Sequence, residues 1–125
     1  MKEAIVTAGP TVKIIDSPIP VVDRSQVLIR VMVSGSNPKD WKRPEWYQTP
    51  HNSGDDIAGI VEAVGEDIVE FRVGDRIAAL HEMMAPGGGY AEYALAPGFA
   101  CFHLPKSISF QEVYITSLSI TESVD

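Results

Sequence analysis

Short apolar runs, each closed by glycine, proline or aspartate, fill most of the first hundred positions of the chain. Residues 2–7 and 12–15 predict the two strands of a hairpin, with Ala8-Gly9-Pro10 as its turn. The clearest strand is predicted over residues 26–33, where alternation places Val27, Ile29, Val31 and Val33 on one face. Further short strands are predicted at residues 57–64, 77–80, 90–95 and 100–104. This spacing of short strands predicts a mainly β fold, as a small barrel or sandwich.

Two segments depart from this pattern. Residues 34–50 contain three prolines and two tryptophans, and Pro38 is expected to open a short helical turn that ends at Lys42. Ser17–Pro20 cannot donate a full set of ladder hydrogen bonds and is expected to be an edge or a connector. Ser109 and Glu112 have the spacing of a helix cap, but the branched and aromatic residues from 113 to 116 continue a helix poorly.

Composition limits the classes of function. The chain has 125 residues, enough for one domain, and 45% of them are hydrophobic. Its formal charge of −7 argues against nucleic acid and anionic membranes as partners, since both bind clustered cations. The amino terminus does not resemble a signal peptide, and no stretch approaches the roughly 20 apolar residues of a membrane span. With a single cysteine, Cys101, which is expected to be a buried small residue, these features favour a reducing cytoplasmic location.

Four stretches in order carry a family resemblance: Asn37–Lys42, Gly54–Gly65, Phe71–Ile77 and Gly88–Tyr93. Together they resemble the N-terminal GroES-like domain of the medium-chain dehydrogenase/reductase superfamily. The greatest similarity is to zinc-independent quinone oxidoreductases and to the enoyl reductases of fungal polyketide pathways. The resemblance covers residues 1–112 and implies a partly open β-barrel with a few short helices. Residues 113–125 then form a divergent or truncated tail.

The glycines of these stretches have structural interpretations. Gly54, Gly59 and Gly65 suit bends or close backbone approach in a curved sheet. Gly74 precedes Asp75 and is expected to let the chain reverse.

The loop Asn37–Lys42 is where the resemblance implies chemistry, in a cleft near a nicotinamide and a substrate carbonyl. Asn37 offers an amide donor and acceptor, and Lys42 a mobile cation that hydrogen-bonds a cofactor ribose or stabilises an enolate. The alternative is that Asp40 and Lys42 are solvated charges beside a tryptophan that packs inside. For Asp40, a structural cap or loop hydrogen bond is the favoured role.

The following loop, which contains Tyr47 and His51, borders the substrate in the family. A lone histidine among turn residues is more often a surface residue than a proton donor, so His51 remains a secondary candidate. Packing roles are expected for four consecutive residues, His81, Glu82, Met83 and Met84.

No metal site is expected. Zinc-dependent relatives have a cysteine in the first loop and a histidine in a Gly-His-Glu stretch, where this chain has Gly35-Ser36-Asn37 and Gly54-Asp55-Asp56. A four-cysteine structural zinc site is excluded by the single cysteine.

In the family, NADPH is held by a Rossmann domain that follows this segment, and no signature of that domain occurs in this chain. The glycine-rich run Pro86–Gly89 precedes a predicted strand, and is therefore expected to be a hairpin loop. The chain alone is expected to bind no cofactor, whereas the full-length family uses NADP(H).

Two functions remain open. In the first, the chain is the substrate-side domain of an NADPH-dependent oxidoreductase that acts on an activated C=C bond (enone or enoyl thioester) or a quinone, inactive in isolation. In the second, it is a non-catalytic interaction protein. Such a protein retains the barrel and associates with itself or a partner through the face that a Rossmann domain would cover. A truncation product and a natural short paralogue are both compatible with the sequence.

Overall fold

Antiparallel strand pairing builds the fold, which the computed structural model describes over residues 1–112, apart from the side chains of residues 45–47. Strand β1 (Lys2–Thr7) pairs with β2 (Thr11–Asp16) as the predicted hairpin. Gly9 adopts a φ of +131° in its turn, a conformation that glycine accepts without steric cost. Residues 17–20 connect this hairpin to the rest of the chain, in agreement with the predicted connector.

The second sheet has five strands in the order β6-β3-β4-β5-β7. Their bounds are β3 Gln26–Gly35, β4 Asp56–Val64, β5 Arg76–Leu80, β6 Tyr93–Pro97 and β7 Cys101–His103. A short 3-10 turn, Gly98–Ala100, joins the last two strands. Within the described residues both sheets are open, and the prediction of a mainly β, GroES-like fold with few short helices is confirmed.

The main apolar cluster lies on one face of the five-stranded sheet, and the other face also buries Leu28, Ala58, Ala78 and Leu95. Val27 and Ile29 of β3 are fully buried, whereas Arg30 is exposed, as the alternation predicts. The ladder between β3 and β4 shifts register between Leu28 and Ile29 and again between Val31 and Val33. The predicted apolar face is therefore only half-buried at Val31 and Val33. The buried cluster consists of Val27, Ile29, Ile57, Val61, Phe71, Ile77, Ala79, Ala94, Ala96 and Cys101.

Close backbone approach explains the predicted glycines. A Cβ on Gly59 would stand 2.2 Å from the carbonyl oxygen of Arg30, and one on Gly65 would stand 2.1 Å from that of Asp23. A Cβ on Gly54 would meet the backbone nitrogen of Tyr90 at 2.8 Å. Gly74 has a φ of +96°, as its predicted turn requires.

Helix α1 spans Lys39–Tyr47, so the predicted end at Lys42 is wrong. Pro38 precedes the first helical residue, where its missing N–H is not needed. Pro44 lies inside the helix and lacks the N–H that would bond to the carbonyl of Asp40. The hydroxyl of Ser53 donates to that carbonyl at 3.0 Å instead, which satisfies the acceptor and allows the helix to continue.

Smaller differences occur near the end of the described chain. The strand predicted from residue 90 begins at Tyr93, because residues 90–92 hydrogen-bond to β1 and β3. The backbone N–H of Glu112 donates to the Ser109 hydroxyl at 3.2 Å, which confirms the predicted cap. The predicted poor helix after residue 112 and the predicted tail lie outside the described residues. Within the described part, no helix has the length and apolarity that a membrane crossing needs.

Candidate functional site

The strand register brings three loops to one end of the five-stranded sheet. Gly35, the last residue of β3, pairs with Asp56, the first residue of β4, and Asp56 also pairs with Leu80, the last residue of β5. The loops next to these ends surround a cavity of about 620 Å³, called here the site cavity. Its walls are formed by Asn37, Pro38, Lys39, Arg43, Asp55, Asp56, Leu80, His81 and Met83.

Asn37 is fixed in this wall at two points. Its side-chain amide donates to Asp56 Oδ2 at 2.7 Å, and its backbone N–H donates to Asp40 Oδ2 at 3.0 Å. Asn37 is therefore held by one carboxylate at the start of α1 and another at the start of β4.

Asp40 is 4% exposed and organises the loop. Besides Asn37, its carboxylate accepts hydrogen bonds from the Tyr90 hydroxyl and from Lys39 Nζ, the latter at 2.7 Å. The loop hydrogen bonds that were expected for Asp40 are present.

Lys39 links the first loop to the second. Its ammonium lies 2.5 Å from Asp55 Oδ2, 2.7 Å from Asp40 Oδ1 and 2.8 Å from the carbonyl oxygen of Ser53. Three acceptors thus match the three N–H donors of an ammonium group. Lys39 is not among the site residues predicted from the sequence. The signal that could have found it is the presence of aspartates in both loops, since buried carboxylates need a cationic partner.

Asp55 is buried between two basic groups. Its other oxygen, Oδ1, lies 2.8 Å from His81 Nδ1. Burial on its own raises the pKa of Asp55, but hydrogen bonds from His81 and Lys39 and their charges outweigh it and hold the pKa below its usual value.

The packing roles expected for residues 81–84 are wrong for three of them. The side chain of His81 is only 2% exposed, but it is held by hydrogen bonds, to Asp55 and to the Pro86 carbonyl oxygen at 3.0 Å from Nε2. Glu82 is exposed, as are Met83 and Met84, at 52% and 43%. Met83 sulfur instead accepts from Arg43 at 2.9 Å across the site cavity, and Met84 takes a φ of +70° in the loop.

The other candidate residues are distributed around α1. Lys42 is exposed, and at 100° per residue it falls between Pro38 and Lys39, both in the cavity wall. Tyr47 is the last residue of α1, and its side chain lies outside the described part. His51 exchanges backbone hydrogen bonds with Val6, its ring lies 3.1 Å from the Thr49 carbonyl oxygen, and it lines a different cavity beside β1. The structure therefore brings Asn37 and Asp40 together, places the exposed Lys42 on the side of α1 that carries Lys39, and leaves His51 elsewhere.

The glycine-rich run Pro86–Gly89 is a loop before β6, but the predicted hairpin is wrong, because β5 and β6 on either side of it do not pair in the sheet. The carbonyl of Gly87 accepts from Leu95 at 2.9 Å, and that of Gly88 accepts from Asn52 at 2.9 Å. The N–H of Gly89 donates to Gly54 at 2.7 Å. The loop is thus bound to its own domain and opens no helix toward a phosphate.

Among the residues that the structure describes, no three His, Cys, Asp or Glu side chains form a group that fits a metal ion. Cys101 is 9% exposed, in agreement with its expected burial, and burial raises the pKa of its thiol to about 11.

A second cavity, of about 670 Å³, lies between the β1–β2 hairpin and α1. We call it the hairpin groove, and its walls are Ala4, Val6, Pro10, Val12, Asp40, Trp41 and Tyr90. Trp41 is 45% exposed, so the tryptophan of the first loop does not pack inside as the alternative interpretation supposed.

Comparisons with known proteins identify the family of this domain. The alcohol dehydrogenase GroES-like domain family matches residues 23–106. The chain is 52% identical over 114 residues to the trans-enoyl reductase fsr4 of Gibberella fujikuroi, which covers 90% of this chain and 34% of that protein. It is 39% identical over 102 residues to the quinone oxidoreductase of Lama guanicoe, with 78% and 30% covered.

A solved structure has the same fold. A mycobacterial protein in complex with NADPH superimposes with a TM-score of 0.75 at 26% identity, over 89% of this chain and 36% of its own. The chain thus spans about a third of the length of the relatives it matches.

Proposed function

Because this chain belongs to the alcohol dehydrogenase GroES-like domain family, we propose that it is the substrate-side domain of a zinc-independent, NADP(H)-dependent oxidoreductase. Its substrate carries an activated C=C bond, as an enone or enoyl thioester, or is a quinone. The observation that carries this proposal is the site cavity, where Lys39 and Arg43 line the wall beside Asn37, which two carboxylates hold. The exposed Lys42 lies on the same side of α1 as Lys39 and Arg43.

The chemistry assigns different tasks to these side chains. When a C=C bond next to a carbonyl is reduced, negative charge develops on the carbonyl oxygen, and a nearby cation lowers the barrier. The exposed ammonium of Lys42 is suited to donate a hydrogen bond to that oxygen. Lys39 is not, because its three donors are used by protein acceptors.

The described residues fit only one part of the cofactor. Asn37 and Lys42 have donors suited to the nicotinamide end and its ribose, and NADP(H), when bound, supplies the hydride. In the run Pro86–Gly89, the carbonyls of Gly87 and Gly88 and the N–H of Gly89 are engaged within the domain. The run precedes a strand, so it lacks the helix N-terminus that binds a diphosphate in a Rossmann domain. We therefore propose that this chain is inactive in isolation.

A chimera tests the function. Residues 1–112 replace the matching segment of the 52% identical trans-enoyl reductase, and NADPH oxidation is followed with an enoyl thioester, an enone and a quinone. We expect turnover, and we expect Lys42→Ala to lower kcat by about 100-fold, the usual cost of removing one such donor. Lys13→Ala, at another exposed lysine, on β2, is the matched control and keeps full activity.

Two results contradict the proposal. A folded chimera without turnover on any of the three substrates rejects the oxidoreductase function. Unchanged kcat in Lys42→Ala rejects the role of that lysine alone. Titration of the unmodified chain with NADPH, followed by nicotinamide fluorescence, tests whether the chain is inactive in isolation. Saturable binding with turnover would contradict that proposal.

The hairpin groove favours a second function, association with another copy of this chain. Val12 and Trp41 in its walls are 61% and 45% exposed, and such apolar surface favours association. Light scattering then detects a dimer that Val12→Lys dissociates, whereas Val69→Lys, at a position 82% exposed outside the groove, leaves it intact. A monomer at all concentrations rejects this second function.

A further inference from the structure

The ring of His81 has an unusual pair of hydrogen-bond partners. Nδ1 lies 2.8 Å from a carboxylate oxygen of Asp55, and Nε2 lies 3.0 Å from the Pro86 carbonyl oxygen. A carbonyl oxygen can only accept, and an ionised carboxylate can only accept. A neutral imidazole has one N–H, so it can donate to only one of these two oxygens.

The partner carboxylate is held in its ionised form. The second oxygen of Asp55 lies 2.5 Å from the ammonium of Lys39, and a proton on the carboxylate would weaken this ion pair. Asp55 therefore does not supply a proton to Nδ1. Since the side chain of His81 is 2% exposed, water does not compensate for a mismatched contact either.

We infer that His81 is an imidazolium, which donates from both ring nitrogens. His81, Asp55 and Lys39 then form a charged triad that holds the walls of the site cavity in position. The side-chain amide and the backbone N–H of Asn37 both depend on residues next to this triad. Its amide is bound by Asp56, which follows Asp55 in the chain, and its N–H is bound by Asp40, which Lys39 contacts.

Each charge of the triad faces a charge of opposite sign. The two cations, His81 and Lys39, face two buried carboxylates, Asp55 and Asp40. Buried ion pairs persist when every charge has a partner of opposite sign, and loss of one member leaves another unpaired. The imidazolium is thus paired with a carboxylate and is not an isolated buried charge, and the third buried carboxylate nearby, Asp56, accepts from the Asn37 amide.

His81 also shapes one wall of the cavity. Its Nε2–H bond to Pro86 closes the segment 81–86 on itself, and this segment carries Met83, which contacts Arg43 of α1. In the proposed oxidoreductase, on which this part of the inference rests, His81 and Lys39 are positioning residues for Asn37 and Lys42 and touch no substrate.

Nuclear magnetic resonance of the unmodified, ¹⁵N-labelled chain tests the protonation state directly. Long-range ¹H–¹⁵N correlations of the histidine rings at pH 7.5, above the usual imidazole pKa of about 6.5, distinguish rings with one proton from rings with two. We expect both nitrogens of His81 to be protonated. His51 and His103 provide references in the same spectrum.

Two isosteric variants sharpen the test. Asp55→Asn removes the charge and offers an amide N–H to Nδ1, so we expect the His81 ring to have a single proton, on Nε2. Asp56→Asn removes a charge one residue away that bonds to Asn37 and not to His81, and we expect both ring protons to remain.

Three results overturn the inference: a single proton on His81 in the unmodified chain, two protons in Asp55→Asn, or one proton in both variants. Because none of these measurements needs turnover, they are independent of the proposed function. In the chimera, Asp55→Asn should lower kcat by about 10- to 100-fold with little change in KM, as expected for misplaced catalytic groups. An unchanged kcat overturns the positioning role.

Discussion

Two buried regions of the same sheet are stabilised by different forces. On one face of the strands, the interior consists of apolar side chains such as Val27, Ile29 and Ile77, which are fully buried. At the end of the same strands, six polar residues are buried: Asp40, Asn52, Ser53, Asp55, Asp56 and His81. In the part of the chain that the structure describes, no buried side-chain nitrogen or oxygen lacks a hydrogen-bond partner.

The difference shows where this domain tolerates change. Apolar contacts are numerous and non-directional, so one altered side chain removes only its own area and leaves a cavity. In the polar cluster the charged groups Asp40, Asp55 and His81 are joined to one another directly or through Lys39, so loss of one of them leaves a desolvated charge behind. Directional contacts of the second kind also fix the position of Asn37, through Asp40 and Asp56.

The largest effect is expected at Gly59, where the backbone of β3 leaves no space for a side chain. Gly59→Val puts a side chain 2.2 Å from the backbone of β3, which no rotamer relieves, and we expect a loss of more than about 4 kcal/mol in the free energy of unfolding. Urea denaturation followed by tryptophan fluorescence measures it. Gly74→Ala, where nothing lies within 4 Å but φ is +96°, is the matched control and should cost only about 1 kcal/mol. Equal costs would mean that close strand approach is not the constraint.

A cavity in the apolar interior should follow. Ile77 is fully buried, and Ile77→Ala is expected to lower the free energy of unfolding by about 2–5 kcal/mol. Ile14 on β2 is 62% exposed, so Ile14→Ala should change it by less than about 0.5 kcal/mol. A similar loss at both positions in urea denaturation would show that the hairpin packs as tightly as the main sheet.

The same contrast explains what the sequence could predict. The hairpin and β3 follow from alternation and turn residues within a few positions of each other. The helix α1 runs past its predicted end because Ser53, 13 residues from Asp40, supplies the hydrogen bond that Pro44 removes. No local pattern contains that compensation.

Prediction of the site was limited in the same way. The resemblance selected Asn37 and Asp40, which lie in one loop. Asp55 and His81 are 26 residues apart, and they meet only because Asp56 pairs with Leu80 in the ladder between β4 and β5. The sequence therefore predicts only a packing role for His81 and no role for Lys39, because the strand register that joins them is not a local pattern.

Acid should affect the polar cluster more than the interior. The pKa of Asp55 is lower in the folded protein than its ordinary value of 3.8, so ionised Asp55 stabilises the fold above that pH. This stabilisation is lost as the pH falls through the folded pKa. Urea denaturation at pH 5 and pH 3 should show a smaller loss of stability in Asp55→Asn than in the unmodified chain. Asp67→Asn, at an exposed position, should retain the full loss. An identical loss in all three proteins would reject the ionised, buried Asp55.

The smallest effect is expected at Cys101, where the interior acts on a group that could ionise. Its thiol is buried among apolar side chains and lies 3.4 Å from the Pro97 carbonyl oxygen, and burial raises its pKa to about 11. Thiolate is the reactive form, so a thiol-specific reagent at pH 8 should label the folded chain at least about 100-fold more slowly than the urea-unfolded chain. Here the apolar interior suppresses a charge by excluding water, whereas the polar cluster keeps the charge of Asp55 by surrounding it with donors. Rapid labelling of the folded chain would contradict this distinction, because it would mean that β7 opens to solvent far more readily than the rest of the sheet.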